Sequence, residues 1–308
     1  MSVRPTILVT GNDLAPEALA LLTDYEVAYA GKTPNEDDIV ALCGRLDPVA
    51  IIVRYSKVGA AAMDAAPNLK VISKHGSGTD TIDKATAEAR GIQVLAAVGA
   101  NAAAVAEQAL ALLLACAKSV VHLDQRMHAG HWDKASHKSV ELEGRTVGVI
   151  GLGAIGLRFA KVAHALGMRV LGFDPFAKHL PEFIEAVGLE TIWRESDAIS
   201  LHCPLTADNA KLLNRETFAA CKKGVIIVNT ARGGLIDEPA LLAAVKSGHV
   251  ASAGLDSFAA EPMPVPHPFH DEPRIVLSPH IGGVTADAYV KMGVAAARNA
   301  LSILQPAS

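Results

Sequence analysis

Apolar residues in this chain come in short runs of branched and aliphatic side chains, and alanine- and leucine-rich stretches separate the runs. Runs of this kind, such as VIIV at 225–228, are typical of strands buried on both faces of a sheet. The stretches between them are long enough to form helices. A regular alternation of the two predicts βαβ units, and therefore parallel sheets covered by helices.

The alternation occurs twice along the chain. The first third contains five strand candidates: TILVT (6–10), YEVAYA (25–30), PVAIIVRY (48–55), LKVISK (69–74) and IQVLAA (92–97). From residue 145 six more follow: TVGVIG, RVLGFD, AISLHC, VIIVNT, ASAGLD and RIVLSP. We predict an α/β fold with two doubly wound parallel-sheet lobes, the second with six strands. The helical pattern at 285–304 has no strand after it, so the lobes are expected to comprise residues 1–98 plus 285–308 and residues 99–284.

Composition narrows the class of protein. The 308 residues are 50% hydrophobic and 19% charged, with a formal net charge of −4, which favours a globular chain without a basic face for nucleic acid. Four widely spaced cysteines are typical of free thiols in a reducing compartment. The N-terminus leads directly into TILVT without a signal peptide, and the apolar segment 102–118 is too short to span a bilayer. We expect a cytoplasmic protein with neither nucleic acid nor membrane as a partner.

The sequence GLGAIG, Gly151–Gly156, is the sharpest local motif. It lies between the strand TVGVI and a helical stretch, which is the context in which a GxGxxG sequence binds a dinucleotide. The first glycine permits a tight turn, the second lets backbone N–H groups approach a pyrophosphate, and the third permits close packing of helix on strand. Asp174 ends the next strand, eighteen residues after Gly156. Its carboxylate can bind ribose hydroxyls and would repel a 2′-phosphate, so the sequence predicts NAD rather than NADP.

Candidate binding and catalytic residues follow the strands of the second lobe. They are Gly151, Asp174, His202, Arg232, Asp256, Glu261 and His280, each at or a few residues past a strand end. Ligands bind outside the carboxyl ends of parallel strands, so one shared cleft is predicted. Within it Arg232 offers a forked donor for a carboxylate, Glu261 can orient an imidazole, and His280 can act as acid or base. Beside a nicotinamide, this set predicts hydride transfer between a 2-keto acid and a 2-hydroxy acid.

Seven further segments carry a family resemblance: KHGSGTDTID (74–83), VAEQALALLL (105–114), ELEGRTVGVIGLGAIG (141–156), HCPLTADN (202–209), FAACKKGVIIVNTARGGLIDEPALLAA (218–244), AGLDSFAAEP (253–262) and SPHIGG (278–283). In this order they resemble the D-isomer-specific 2-hydroxyacid dehydrogenases over nearly the whole chain, and most of all the catalytic portion of the phosphoglycerate dehydrogenases. The resemblance implies that Arg232, Glu261 and His280 form the catalytic set. It implies a flavodoxin-like substrate domain beside a Rossmann NAD-binding domain. The implied cofactor contacts are Gly151, Gly153, Ala154, Ile155, Gly156, Asp174, His202, Cys203, Pro204, Thr230, Ala231, Asp256 and Gly282.

The substrate remains open among 3-phosphoglycerate, hydroxypyruvate and glyoxylate types. Ser77 and Gly78, in a small-residue turn, can direct backbone N–H groups at a carboxylate, and Arg232 and His280 are expected to contact the same substrate. Arg54 either binds a substrate phosphate, as the resemblance implies, or pairs with a nearby acid. Relatives bury the segment 102–118 in a dimer, so a homodimer is expected.

Two other functions have to be weighed against the enzyme. The family includes corepressors on the same fold, so a non-catalytic NAD-sensing module is the alternative; it would lack the catalytic residues or carry an added binding tail. A serine-regulated enzyme would have a C-terminal control domain, and the chain ends at Ser308 without one. The histidines of MHAGHWDKASH do not have the spacing of a metal site, and no metal is expected.

Overall fold

The computed structural model describes residues 4–305, which form two compact units. The chain passes from the first unit to the second after Asn101 and returns after Gly282. The expected boundaries lay after residues 98 and 284. The two boundaries lie close together, because a Cβ on Gly283 would lie 2.7 Å from the amide nitrogen of Asn101.

The first unit is built on a parallel sheet in the order β2-β1-β3-β4-β5. Alternate residues of its strands pack on opposite faces: Leu8 and Ile51 contact the layer of α2, α3 and α4, whereas Ile7 and Ile52 contact the layer of α1 and α11. The elements are β1 (Thr6–Val9), α1 (Pro16–Leu19), β2 (Glu26–Tyr29), α2 (Glu36–Leu46), β3 (Ala50–Val53), α3 (Ala60–Asp64), β4 (Val71–Lys74), α4 (Lys84–Ala89), β5 (Gln93–Ala96) and α11 (Ala286–Leu304).

The C-terminal helix α11 belongs to this unit. The Thr285 hydroxyl caps it by accepting a hydrogen bond from the Ala288 backbone N–H at 3.1 Å. Its small residues Ala296, Ala297 and Ala300 are fully buried, so the helix lies close against the sheet. The Ser73 hydroxyl of β4 donates to the Ala296 carbonyl oxygen at 2.9 Å. The last helix therefore packs on the sheet of the first unit.

The second unit contains a seven-stranded parallel sheet in the order β12-β11-β10-β9-β6-β7-β8. Helix α5 packs on β10, β11 and α7, on the face that receives Ile226 and Val228, while Val225 and Ile227 point into the opposite core. The elements are α5 (Ala102–Lys118), α6 (Val120–His128), β6 (Thr146–Ile150), α7 (Ala154–Ala165), β7 (Arg169–Phe173), β8 (Ile184–Ala186), α8 (Leu189–Glu195), β9 (Ala198–Leu201), α9 (Arg215–Ala220), β10 (Val225–Asn229), α10 (Glu238–Lys246), β11 (Val250–Leu255) and β12 (Ile275–Leu277), with short 3₁₀ turns at Gly233–Leu235 and Pro268–Asp271.

The prediction of six strands in this lobe is wrong by one edge strand. Strand β8 has three residues, pairs only with β7, and buries only Ile184. Such a short edge strand has neither a continuous apolar run nor an extended alternation, so the hydrophobic pattern does not identify it. All eleven predicted strands are present, and both sheets are parallel throughout.

No single helix within residues 4–305 is long and apolar enough to cross a membrane. Helices α5 and α6 together meet the criteria of length and composition, but they are bent by 61° relative to each other. Most residues of α5 are buried in the protein.

Candidate functional site

The glycine loop between β6 and α7 has the geometry of an anion-binding turn. Gly151 has a φ of +91°, and a Cβ there would lie 2.6 Å from the backbone nitrogen of Cys203. A Cβ on Gly156 would collide with the carbonyl oxygen of Gly151. Gly153, the N-cap of α7, has open space where its Cβ would be. The loop therefore fits a pyrophosphate: two glycines permit tight packing within the protein, and the third leaves room at a helix N-terminus for an anion.

Asp174 stands at the end of β7 and holds this loop in place. Its carboxylate accepts hydrogen bonds from the backbone N–H groups of Leu152 and Phe176, both at 2.8 Å. The sequence predicts a ribose contact for this residue and does not indicate the bond to the loop. Each carboxylate oxygen can accept more than one hydrogen bond, so both roles are compatible.

His202 follows β9 and packs beneath the glycine loop. Its Nε2 and the Ser200 hydroxyl are 2.9 Å apart, its ring lies 5.1 Å from that of Phe159, and its Nδ1 is buried without a hydrogen-bond partner. Burial lowers the pKa of His202 to about 3, so the ring is neutral at pH 7. Cys203 comes next, and burial raises the pKa of its thiol. Both side chains are neutral, and Pro204 beside them is exposed.

The turn after β10 carries Thr230, Ala231 and Arg232. Asn229, fully buried at the last position of the strand, braces this turn: its side-chain oxygen accepts from the Ala231 N–H at 3.0 Å, and its amide donates to the Arg232 carbonyl at 2.9 Å. Arg232 is half-buried, and one of its guanidinium nitrogens donates to the Ala231 carbonyl at 2.7 Å.

The two glycines after Arg232 are required by close packing. A Cβ on Gly233 would collide with the Phe258 backbone, and one on Gly234 would lie 2.7 Å from Leu205. Neither glycine has a positive φ, so conformational freedom is not the reason for them. The need is for space: the turn that carries Arg232 packs directly on the chain just after β11.

Glu261 and His280 meet beyond the ends of β11 and β12. The Glu261 Oε2 atom lies 2.7 Å from Nδ1 of His280, while Oε1 accepts the backbone N–H of Phe258 at 2.9 Å. Both side chains are partly exposed. Because the carboxylate occupies Nδ1, Nε2 is the ring nitrogen left to exchange a proton with a substrate. This is the arrangement of an oriented general acid–base.

Asp256, the residue after β11, connects to the same segment. Its Oδ1 accepts from the Ser278 hydroxyl at 2.6 Å and from the Ile281 N–H at 2.9 Å, and its Oδ2 accepts from the Gly282 N–H at 2.7 Å. The structure thus joins Asp256 and Gly282 directly, and His280 lies between them in the sequence. It also puts the strand ends that carry Arg232, Asp256, Glu261 and His280 side by side, since β10, β11 and β12 are neighbours.

Comparison with known proteins shows which protein family the chain resembles. The family model described as "D-isomer specific 2-hydroxyacid dehydrogenase, NAD binding domain" matches residues 110–282, more than half of the chain. The hydroxypyruvate reductase of Thermotoga maritima is 41% identical over 276 residues, which cover 89% of this chain and 90% of that protein.

The chain belongs to the D-isomer-specific 2-hydroxyacid dehydrogenase family. It is an NAD-dependent oxidoreductase, as the sequence predicts, and the second unit contains the family's NAD-binding domain. The D-3-phosphoglycerate dehydrogenase of Mycobacterium bovis is 39% identical over 94% of this chain, but the chain spans only 55% of that protein's length. The structure of the TT0316 protein from Thermus thermophilus superposes with a TM-score of 0.89 at 36% identity, covering 97% of both chains.

In this dehydrogenase the first unit contains three of the predicted substrate contacts, Arg54, Ser77 and Gly78. Arg54, just after β3, forms an ion pair with Asp13, and its side chain is only 10% exposed. Tyr55 and Tyr289 lie against the guanidinium, with ring centroids 5.2 and 5.0 Å from its central carbon. Of the two alternatives for Arg54, pairing with a nearby acid is the one observed.

Ser77 and Gly78 follow β4, in the turn that Gly76 opens with a φ of +145°. Ser77 is exposed, and its hydroxyl donates to the Asn101 side-chain oxygen at 3.1 Å. The histidines at 128, 131 and 137 are not assembled into a metal site, and residues 4–305 contain no group of three His, Cys, Asp or Glu side chains that could hold one.

The sequence missed several residues that shape this dehydrogenase site. Asn229 could have been recognised, because a polar residue in the strand VIIVN must find partners when it is buried. Ser278 and Gln108 gave no such indication. A hydrogen bond of 3.0 Å joins these two residues across 170 positions of the sequence, and no local pattern predicts such a contact.

Proposed function

We propose that this protein transfers a hydride between C4 of a nicotinamide and C2 of a D-2-hydroxy acid or its 2-keto acid. The observation that carries the proposal is the 2.7 Å contact between Glu261 and His280, on the same sheet edge as the glycine loop. The bound nicotinamide supplies the hydride in reduction and accepts it in oxidation. The chain's own residues bind the acid, orient it and move the accompanying proton.

Three side chains divide that work. His280 gives a proton to the developing alkoxide in reduction and takes the hydroxyl proton in oxidation, a contribution of about 10²–10⁴ in rate for a well-placed acid–base. Glu261 fixes the ring orientation through its 2.7 Å contact with Nδ1. Arg232 binds the substrate carboxylate and places a fixed positive charge near the carbonyl. Ser77 and Gly78 are proposed as further substrate contacts through their backbone N–H groups.

The proposed cofactor contacts lie along the carboxyl edge of the second sheet. The glycine loop is proposed to hold the pyrophosphate, and Asp174 the ribose hydroxyls, which favours NAD over NADP because a 2′-phosphate would meet a carboxylate. The remaining contacts follow the next strands in order. The full set is Gly151, Gly153, Ala154, Ile155, Gly156, Asp174, His202, Cys203, Pro204, Thr230, Ala231, Asp256 and Gly282.

For the substrate we propose a small 2-keto acid without a phosphate, of the hydroxypyruvate or glyoxylate type. The support is the ion pair of Arg54 with Asp13, since a guanidinium already neutralised by a carboxylate attracts a phosphate weakly. One relative that aligns over most of the length of both chains is named hydroxypyruvate reductase, and another is named glyoxylate reductase.

A panel of 2-keto acids tests this proposal. Purified protein is given NADH with hydroxypyruvate, glyoxylate, pyruvate or phosphohydroxypyruvate, and kcat/KM is compared. We expect hydroxypyruvate or glyoxylate to exceed phosphohydroxypyruvate by at least tenfold. Tight binding of NADH without oxidation by any 2-keto acid would instead support a non-catalytic, NAD-sensing function.

The role of Arg54 can be tested separately. Asp13→Asn should free the guanidinium and raise the ratio of kcat/KM for phosphohydroxypyruvate over hydroxypyruvate by about tenfold, the scale of one interaction between close charges at low salt. Asp64→Asn is the matched control, because Asp64 also pairs with an arginine of the first unit, Arg90. A ratio that is the same in both variants would remove Arg54 from the account of specificity.

We also propose a cytoplasmic homodimer. Helix α6 and the segment after it expose several large apolar side chains, namely Val120 (55%), Val121 (40%), Met127 (52%) and Trp132 (75%). A second copy would cover such a patch. Sedimentation should give twice the chain mass, and Trp132→Lys with Met127→Lys should reduce it to one chain.

A further inference from the structure

The segment that carries His280 is fixed by hydrogen bonds on both sides of that residue. Before it, the Ser278 hydroxyl donates to Asp256 at 2.6 Å; after it, the Ile281 and Gly282 N–H groups donate to the same carboxylate at 2.9 and 2.7 Å. Asp256 is 1% exposed. A buried carboxylate with three donors is strongly held, since charge-assisted hydrogen bonds are among the strongest in proteins.

Gln108 fixes the direction of the hydrogen bonds in this network. Gln108, on α5, donates from Nε2 to the Ser278 oxygen at 3.0 Å. A serine hydroxyl has a single proton, and its oxygen is here already accepting a hydrogen bond from Gln108. The proton therefore goes to Asp256, while the alternative acceptor, the Leu255 carbonyl oxygen, lies farther away at 3.5 Å.

His280 needs this support because its backbone is in the left-handed region, with a φ of +53°. For a residue other than glycine such a conformation costs energy and persists only where the surroundings determine it. Its own N–H donates to the Ser278 carbonyl oxygen at 3.0 Å, so the position of Ser278 directly affects the backbone of His280. The fit is tight, since a Cβ on Gly282 would lie 2.9 Å from Asp256 and 3.6 Å from Gln108.

We propose that Gln108 and Ser278 are positioning residues for the reaction: through Asp256 they hold the backbone of His280 so that its ring stays on Glu261 with Nε2 toward the substrate. This inference rests on the proposed function of His280. Neither residue touches the reacting atoms. Asp256 uses three of the roughly four acceptor positions of a carboxylate in this network, which leaves one for a cofactor amide.

The test uses the full chain with hydroxypyruvate and NADH. Ser278→Ala removes the hydroxyl, and Gln108→Met removes the donor at nearly constant size. Ser252→Ala is the control for loss of a buried hydroxyl on β11, and Glu107→Gln is the control for an exposed change on α5. We expect kcat to fall by about ten- to a hundredfold in Ser278→Ala, the usual range for a lost hydrogen bond to a charged group, and by about threefold or more in Gln108→Met. KM should change less than kcat.

Two further readouts distinguish positioning from a merely structural role. If His280 is displaced, proton transfer limits the rate, so the solvent deuterium isotope effect on kcat should rise and the pH profile of reduction should differ from that of the wild-type protein. Ser278→Thr keeps the hydroxyl, so its isotope effect and its pH profile should match those of the wild-type protein. Hydrogen exchange at the Ile281 and Gly282 amides, measured without substrate, should accelerate in Ser278→Ala and Gln108→Met but in neither control.

Each outcome decides between the proposals. Faster amide exchange with an unchanged isotope effect and pH profile would show that the network stabilises the loop without positioning His280, and would overturn the inference. Unchanged exchange would do the same. A wild-type protein that oxidises NADH with none of the 2-keto acids would refute the proposed function, and this inference with it.

Discussion

The two units share a reversal of strand order in their sheets but differ in the segment that follows it. Each contains a parallel sheet in which the strand order reverses at the first strand of the unit: β1 lies between β2 and β3, and β6 between β9 and β7. Ligands of doubly wound proteins bind where the strand order reverses in this way. In the first unit β1 leads into a four-residue helix, and in the second β6 leads through the glycine loop into a helix of twelve residues.

The difference lies in what occupies the space after these strands. A Cβ on Gly11, after β1, would lie 2.7 Å from the Arg54 side chain, so the first unit fills its edge with its own residues. A Cβ on Gly153, after β6, would meet nothing within 4 Å. Sheet order alone therefore provides an edge, and the residues of the first turn decide whether that edge can bind a dinucleotide.

The largest expected effect contrasts an arginine from each unit. Arg232→Ala should lower kcat/KM for hydroxypyruvate by about three powers of ten or more, because the substrate carboxylate loses a forked, charge-assisted partner near the reacting carbon. Arg54→Ala should lower it less than tenfold, since Asp13 already neutralises that guanidinium. Steady-state kinetics measures the loss of kcat/KM in both variants, and thermal melting checks that each variant is folded. Equal losses would remove the distinction between the two cations.

The next effect concerns the two glycine turns. Gly153→Ala should weaken NADH binding by at least about tenfold without changing the melting temperature, because the methyl group enters open space that the pyrophosphate would use. Gly151→Ala should weaken binding and also destabilise the fold, since its φ is +91°. Gly11→Ala should leave NADH affinity within a factor of two. Calorimetric titration of NADH into the three variants measures these affinities. A Gly153→Ala protein with normal NADH affinity would contradict the placement of the cofactor.

Asp174 should set the choice of cofactor. Asp174→Asn removes the charge that would oppose a 2′-phosphate, so the ratio of NADPH to NADH affinity should rise by about tenfold. Asp13→Asn, an equivalent change in the first unit, should leave this ratio unchanged. If the ratio did not move in Asp174→Asn, another residue would have to discriminate between the cofactors.

The smallest effect compares the buried histidines of the two units. Burial lowers the pKa of His75 to about 4, with Arg54 as a lesser cause, and that of His202 to about 3, from the ordinary value of 6.5. Because the folded pKa is below the unfolded value, the unfolded state takes up the proton first as the pH falls. The contribution of each histidine to stability is constant above pH 6.5 and falls below it by about 1.4 kcal/mol per pH unit until the folded pKa is reached.

Fluorescence and tyrosine absorbance can follow the two units separately during urea unfolding. Both tryptophans, Trp132 and Trp193, lie in the second unit, and all four tyrosines lie in the first. The tyrosine signal reports the unfolding free energy of the first unit. In His75→Gln the slope of this free energy against pH should decrease by about 1.4 kcal/mol per pH unit between pH 6.5 and 5, the value for one proton. An unchanged slope would mean that His75 is not held neutral by burial.

The sequence predicted the regular parts of the fold because their determinants are local. Buried strands such as VIIV, the helix at 102–118 and the glycine loop each depend on neighbouring residues, and their bounds agree with the structure within a few positions. Strand β8 was missed because three residues at an edge carry too little hydrophobic pattern.

The candidate site was predictable only as a set of residue types at strand ends. The contact of Glu261 with His280 joins residues 19 apart, and the bond of Gln108 to Ser278 joins residues 170 apart. Such pairings depend on how loops fold over the sheet edge, and not on local spacing. The pairing of Arg54 with Asp13 was likewise one of two possibilities until the structure placed both after neighbouring strands, β1 and β3.

Isotope transfer tests the central claim most directly. Hydroxypyruvate is reduced by the wild-type protein with NADH that carries two deuterium atoms at C4, and the product is analysed by NMR and on a chiral column. The account predicts D-glycerate with one deuterium at C2. A product without deuterium at C2, or one of L or mixed configuration, would contradict it.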